Sequence, residues 1–189
     1  MLPLAEHGSP EDRDGFRFRG GHVALDLTAT LAARLKDEPR ELLEKPADLD
    51  RWLISSGLAG GAPRATREDV EMARGLREAI YGLVSGGPSG AARTTLNSVA
   101  ALRAARPRLS ASGQLAMSGT AREYLATIAG FAIELLGGSD RDRVRQCEGE
   151  GCAILFLDLS RSGKRRWCSM SGCGNRAKAR SFRERRHED

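Results

Sequence analysis

The chain has 189 residues, of which 40% are apolar and nine aromatic, and its formal net charge is +5. That length suits one ordinary domain, or one domain with a small module attached. No run approaches the roughly 18 apolar residues of a membrane span, and residues 1–15 lack the apolar core of a signal peptide, so no membrane role and a reducing cytoplasm are expected.

Residues 1–15 are polar and read as a flexible tail. Phe16-Arg17-Phe18 alternates like a short strand, closed by Gly20-Gly21. Residues 22–35 carry two patterns. Val23, Leu25 and Leu27 alternate like a strand, whereas Leu27, Leu31 and Leu35 repeat at four like a helix. The alanines among them favour helix. A further helix starts at Pro46, with Leu49, Trp52 and Leu53 inward. Thr66 caps the next, with Asp69 in its first turn, and Ala73, Leu76, Ile80, Leu83 and Val84 mark its buried face. Gly86-Gly87-Pro88 stops it. Residues 91–105 read as another helix, and residues 107–118 as a hairpin in which Leu109 and Ala111 face Leu115 and Met117. The clearest helix covers residues 120–136, opened by the capping-box spacing of Thr120 and Glu123. Gly137-Gly138 ends it and marks a boundary, giving a helical domain over 16–138 and a second module over 139–189.

The helical domain shows no Ser-His-Asp pattern, phosphate-cradling glycine loop or His-Glu-x-x-His signature, and no enzyme activity is expected. Asp26, in an apolar run, reads as a satisfied polar group or an exposed helix residue before a ligand contact. His22 lacks a catalytic partner, and Trp52 reads as core.

All four cysteines lie in the second module. Cys147 with Cys152 and Cys168 with Cys173 form two Cys-x4-Cys pairs. Tight turns bring paired sulfurs together, and four thiolates close the tetrahedral shell of one structural Zn2+. Two disulfides, or iron held by four thiolates, would use the same residues; a reducing setting argues against the first. Glycines beside the ligands, Gly149, Gly151, Gly172 and Gly174, would allow the positive φ of such turns. Between the pairs, residues 153–159 read as a strand, with Ile154 and Phe156 on one face and Leu155 and Leu157 on the other. Residues 165–168 would return as its partner. A helix then opens at Cys173. Turn, hairpin, and a helix whose start supplies ligands make a treble-clef-like plan, so the fold class is α+β with a mainly helical first domain.

Charge is concentrated here. From residue 141 onward there are thirteen Lys and Arg against seven Asp and Glu, while residues 1–140 hold seventeen against eighteen. Arg165 and Arg166 in the hairpin, and Arg176, Lys178, Arg180, Arg183, Arg185 and Arg186 on the last helix, form a footprint for a polyanion such as DNA. The competing use of these cations is to neutralise the thiolates or to dock a protein. RNA is a further alternative, with few aromatic residues in the finger to stack unpaired bases.

Arg165-Arg166-Trp167-Cys168-Ser169-Met170, followed by Cys173-Gly174-Asn175-Arg176-Ala177-Lys178-Ala179-Arg180, resembles the CGNR zinc finger. Leu25-Asp26, Asp48-Leu49 near Trp52-Leu53, Leu76-Arg77-Glu78-Ala79-Ile80 and Leu96-Asn97 resemble the ABATE domain found before that finger. Where that family usually carries Asn-Thr, this chain has Ala29-Thr30. The resemblance implies a bacterial, stress-induced transcription regulator with Cys147, Cys152, Cys168 and Cys173 as zinc ligands and a DNA-binding end to which Asn175 and Arg176 belong. The helical domain would sense a small-molecule ligand or mediate homodimer contacts. The alternative function is a zinc-stabilised protein-interaction module.

Overall fold

Helix starts are set by short polar side chains. In the computed structural model, which describes residues 11–87, 89–110 and 112–187, Thr66 opens α3 (Arg67–Ser85) by accepting from the Asp69 N–H, while Asp69 accepts from the Thr66 N–H. Thr120 and Glu123 do the same for α5 (Ala121–Gly137). At α2 (Pro46–Ser55), Asp48 accepts from the Glu44 and Lys45 N–H groups. Each arrangement satisfies donors that the first helical turn leaves free. Ser89 caps the shorter α4 (Gly90–Ala100). The tail over residues 1–10, the stop at Pro88 and the alternation at Ala111 lie outside the described residues.

The four helices bury one core. Leu49, Trp52 and Leu53 of α2 meet Ala73, Leu76 and Ile80 of α3, Leu96 and Val99 of α4, and Leu125, Ile128 and Ala132 of α5. Phe18 stacks on Trp52 with ring centroids 6.1 Å apart. The hairpin β5 (Arg106–Leu109) and β6 (Leu115–Ser118) forms as expected and lies at the edge of the core, against which its Met117 packs. Its Leu109 and Leu115, paired across the strands, are both exposed.

The polar N-terminal stretch contributes β1 (Asp12–Arg13), which pairs with β2 (Phe16–Arg17). The helix expected over residues 22–35 is much shorter. It spans only Val23–Thr28 as α1, and the chain turns into β3 (Leu31–Ala32), paired with β4 (Arg40–Glu41). Thr28 and Thr30 explain the stop. Their hydroxyls donate to the carbonyls of Leu25 and Leu27 at 2.6 and 2.7 Å, in competition with the backbone ladder. Ala33 then takes φ +54°, which no helix accommodates. Glu41 fastens β4 to α3 through the buried Arg77, with N–O distances of 2.7 and 2.8 Å. His22 caps α1, its Nδ1 accepting from the Ala24 N–H at 3.3 Å; burial holds its imidazole below the usual range.

After α5 a 3-10 turn, Arg141–Arg143, leads into β7 (Val144–Gln146), which pairs with β8 (Leu155–Leu157). This corrects the expected hairpin: β8 pairs with the strand before the first cysteine pair, and residues 165–168 form no strand. The alternation read along β8 holds. Leu155 and Leu157 pack with Leu25 of α1 and Leu135 of α5, while Ile154 and Phe156 pack among the cysteines. The Leu157 N–H also donates to the Gly20 carbonyl at 2.8 Å. No helix among the described residues is long and apolar enough to cross a membrane.

Asp26 sits behind this junction. It is buried and accepts from the Gly20 N–H at 2.7 Å. Burial pushes its carboxyl up to about 7 from an ordinary 3.8. Between those values the folded chain keeps a proton that the unfolded chain has released, so stability falls as pH rises through that window. Asp26→Asn retains an oxygen for Gly20 and removes the ionisation. It should flatten that slope and raise stability by about 2 kcal/mol above neutrality, as read from denaturant midpoints at about pH 5 and about pH 8.

Candidate metal centre and basic helix

Two turns and one helix start deliver the sulfurs. Cys147 follows β7 directly, and its N–H donates to the Ile154 carbonyl at 2.9 Å. The chain turns back so that the Cys152 N–H reaches the Gly149 carbonyl at 2.9 Å. Cys168 ends a loop organised by the buried Asp158, which accepts from the Ser160 and Arg165 N–H groups at 2.9 and 2.8 Å. A π-helical turn, Met170–Gly174, then carries Cys173 into α6 (Asn175–His187).

The ligating sulfurs of Cys147, Cys152, Cys168 and Cys173 all lie within 4.8 Å of one another, and none is in a disulfide. Cys152 and Cys168 are 3.9 Å apart, and Cys168 and Cys173 3.8 Å. A regular tetrahedron with Zn–S arms of about 2.3 Å has edges of about 3.8 Å. Disulfide sulfurs would sit about 2 Å apart. Donors converge on the cluster: the Gly149 and Cys168 N–H groups point to the Cys147 sulfur at 3.4 and 3.3 Å, and the Arg176 guanidinium to the Cys173 sulfur at 3.0 Å. Without a cation these thiols cannot all ionise. The Cys147 thiolate pushes Cys152 up to about 11 and Cys168 higher still. A dication relieves that repulsion, so the four cysteines form a zinc-binding site for one ion, which supplies folding energy and holds the start of α6.

Among the glycines, only Gly151 near the ligands has positive φ, at +64°. Gly149 has a different reason to be glycine: an added Cβ would lie 2.8 Å from the Cys173 sulfur. An added Cβ at Gly172 would lie 3.0 Å from the Arg19 guanidinium, and one at Gly174 2.8 Å from the Met170 sulfur. Spacing alone shows the ligands but not these close approaches. It also hides Ala29, which packs in the cysteine cluster from the helical domain.

The cations singled out from the sequence divide by what they touch. Arg165 donates to the Trp167 carbonyl at 2.8 Å and to the Cys168 carbonyl, and lies over the Phe156 ring. Arg166 pairs with Glu148 at 2.6 Å, and Arg180 pairs with Glu150. Arg176 is turned to sulfur. Asn175 donates to the Ser171 carbonyl at 3.4 Å, holding the helix start. Lys178, Arg183, Arg185 and Arg186 are exposed and make no ion pair among the described residues. Arg176→Ala removes a donor to a ligating sulfur. It should weaken zinc retention by about ten-fold or more, measured by competition with a chromogenic chelator.

Residues 21–139 match the ABATE family, described as a putative stress-induced transcription regulator. Residues 143–186 match the CGNR zinc finger. Comparison with curated proteins found no significant match.

Proposed function

Because this chain belongs to the ABATE family and ends in a CGNR zinc finger, we propose that it is a transcription regulator whose zinc-held α6 grips duplex DNA. The observation that supports this is the state of the helix. Lys178, Arg183, Arg185 and Arg186 project into solvent and are not spent on the thiolates. The donors that the structure turns toward the ligating sulfurs are Arg176 and two backbone N–H groups. A cationic helix anchored at one end can follow a phosphate backbone. Four thiolates leave no open metal position, so the proposed role is non-catalytic. The helical domain would supply control, through a small ligand or through a second copy meeting the exposed Leu109 and Leu115.

Selection of bound duplexes from random sequence by the zinc-loaded chain at moderate salt tests this reading. Enriched duplexes should bind with log K falling by about 3 to 4 per decade of salt, the slope of about four phosphate contacts. Failure to retain duplex at low salt overturns the reading and favours a protein partner for the same surface.

A further inference from the structure

A cleft on the finger has chemistry that a phosphate-tracking helix does not need. It is an open cleft of about 540 Å³ between α6, Glu148 of the first cysteine turn and the Arg166–Trp167 segment, with Lys178, Phe182 and Arg185 on its α6 side. The volume falls in the range of small-ligand sites. Trp167 is half-buried and packs against the cysteine cluster, so the metal centre fixes one wall. Phe182 forms another and is 54% exposed, an apolar ring in water on a helix otherwise rich in cations. Arg166 lies over the Trp167 ring at 5.1 Å and Arg186 over the Phe182 ring at 5.8 Å, so each ring already accepts one planar group, a place that an arriving base would take over. Glu148 is neutralised by Arg166, whereas Lys178 and Arg185 have no ion-pair partner among the described residues.

Two aromatic rings beside unpaired cations match a planar, anionic ligand. Paired bases in a duplex present only their edges, so a duplex leaves these rings unused. A nucleotide with an unpaired base uses both features: the base stacks on the rings and its phosphate meets the cations. An acidic peptide would use the cations and leave the ring faces with apolar contact alone. We infer that the Trp167–Phe182 cleft holds an unpaired nucleobase, with the adjoining phosphates on Lys178 and Arg185. This rests on the nucleic-acid reading of the same helix and adds that the finger, besides gripping duplex, takes up an unpaired base where a strand is single or locally opened.

The protein has two tryptophans, and Trp52 is fully buried in the helical core. In a Trp52→Phe background, Trp167 reports the cleft alone. The zinc-loaded full chain is titrated with oligothymidylate and oligouridylate of about twelve nucleotides, a duplex of the same length, and polyglutamate. Oligothymidylate should quench Trp167, and Phe182→Ala or Lys178→Ala with Arg185→Ala should weaken that binding by roughly ten-fold or more. Equal quenching by oligouridylate supports a site blind to the sugar. Phe182 is exposed, so its truncation leaves the fold intact. If Trp52→Phe does not fold, Trp167→Phe in the parent should abolish the quenching instead. Unchanged fluorescence with either single strand, or polyglutamate acting as well as oligothymidylate, overturns the inference. Duplex retained without Trp167 quenching sinks it and leaves the regulator reading standing; binding of neither form removes both.

Discussion

Removing the zinc, by chelation or by Cys168→Ser, should unfold the finger and also lower the stability of the helical domain. The reason is β8, whose residues are buried on both faces. One face, Ile154 and Phe156, is held among the cysteines; the other, Leu155 and Leu157, covers Leu25 and Leu135. The strand is also tied to the helical domain through Leu157 and Gly20. A structural zinc supplies about 10 kcal/mol or more to such a module. Its loss leaves Ile154 and Phe156 without their cluster and frees β8 to leave α1 and α5. Exposing Leu25 and Leu135 then costs about 3 to 6 kcal/mol. The expected result is loss of the α6 signal in circular dichroism, together with a lower melting midpoint for the remaining helices and faster amide exchange around Leu25. An unchanged midpoint and unchanged exchange there would show that the finger stands alone.

The same two-sided strand shows how far the sequence could be read. The side-chain alternation from Ile154 to Leu157 is visible in the letters, because a strand's faces alternate at every residue. Its partner is not visible, since pairing with Val144–Gln146 rather than with residues 165–168 depends on where the cysteine turns fold back. Capping pairs such as Thr66 with Asp69 and Thr120 with Glu123 are local, and they mark where α3 and α5 begin. The short α1 escaped for two reasons: its threonine hydroxyls take carbonyls only three residues back, which the apolar spacing does not show, and the β4 strand that pairs with β3 is held from across the fold by Arg77. The zinc ligands were legible because chemistry demands cysteine at close spacing. The role of Gly149 was not, because the Cys173 sulfur that crowds it lies far along the chain.

The arginines carry the same lesson into a test of function. In the sequence, Arg165, Arg180, Arg183 and Arg186 look interchangeable; in the fold they are not. Arg183→Ala with Arg186→Ala removes two exposed cations that touch no sulfur and no carboxylate among the described residues. Duplex affinity should fall by roughly ten-fold at low salt, equally for every sequence, and the salt slope should drop by about 2. Zinc content should stay the same. Arg180→Ala should cost less, because its guanidinium is already paired with Glu150 and part of its charge is spent. Arg165→Ala should act by another route. It strips donors from the Trp167 and Cys168 carbonyls and a cation from the Phe156 ring, so zinc retention and melting midpoint should fall with any change in binding. Equal losses from all four positions, with zinc content constant, would mean that the helix binds as a diffuse cloud of charge. A loss confined to Arg180 would move the phosphate path to the side of α6 that faces Glu150, toward the metal centre.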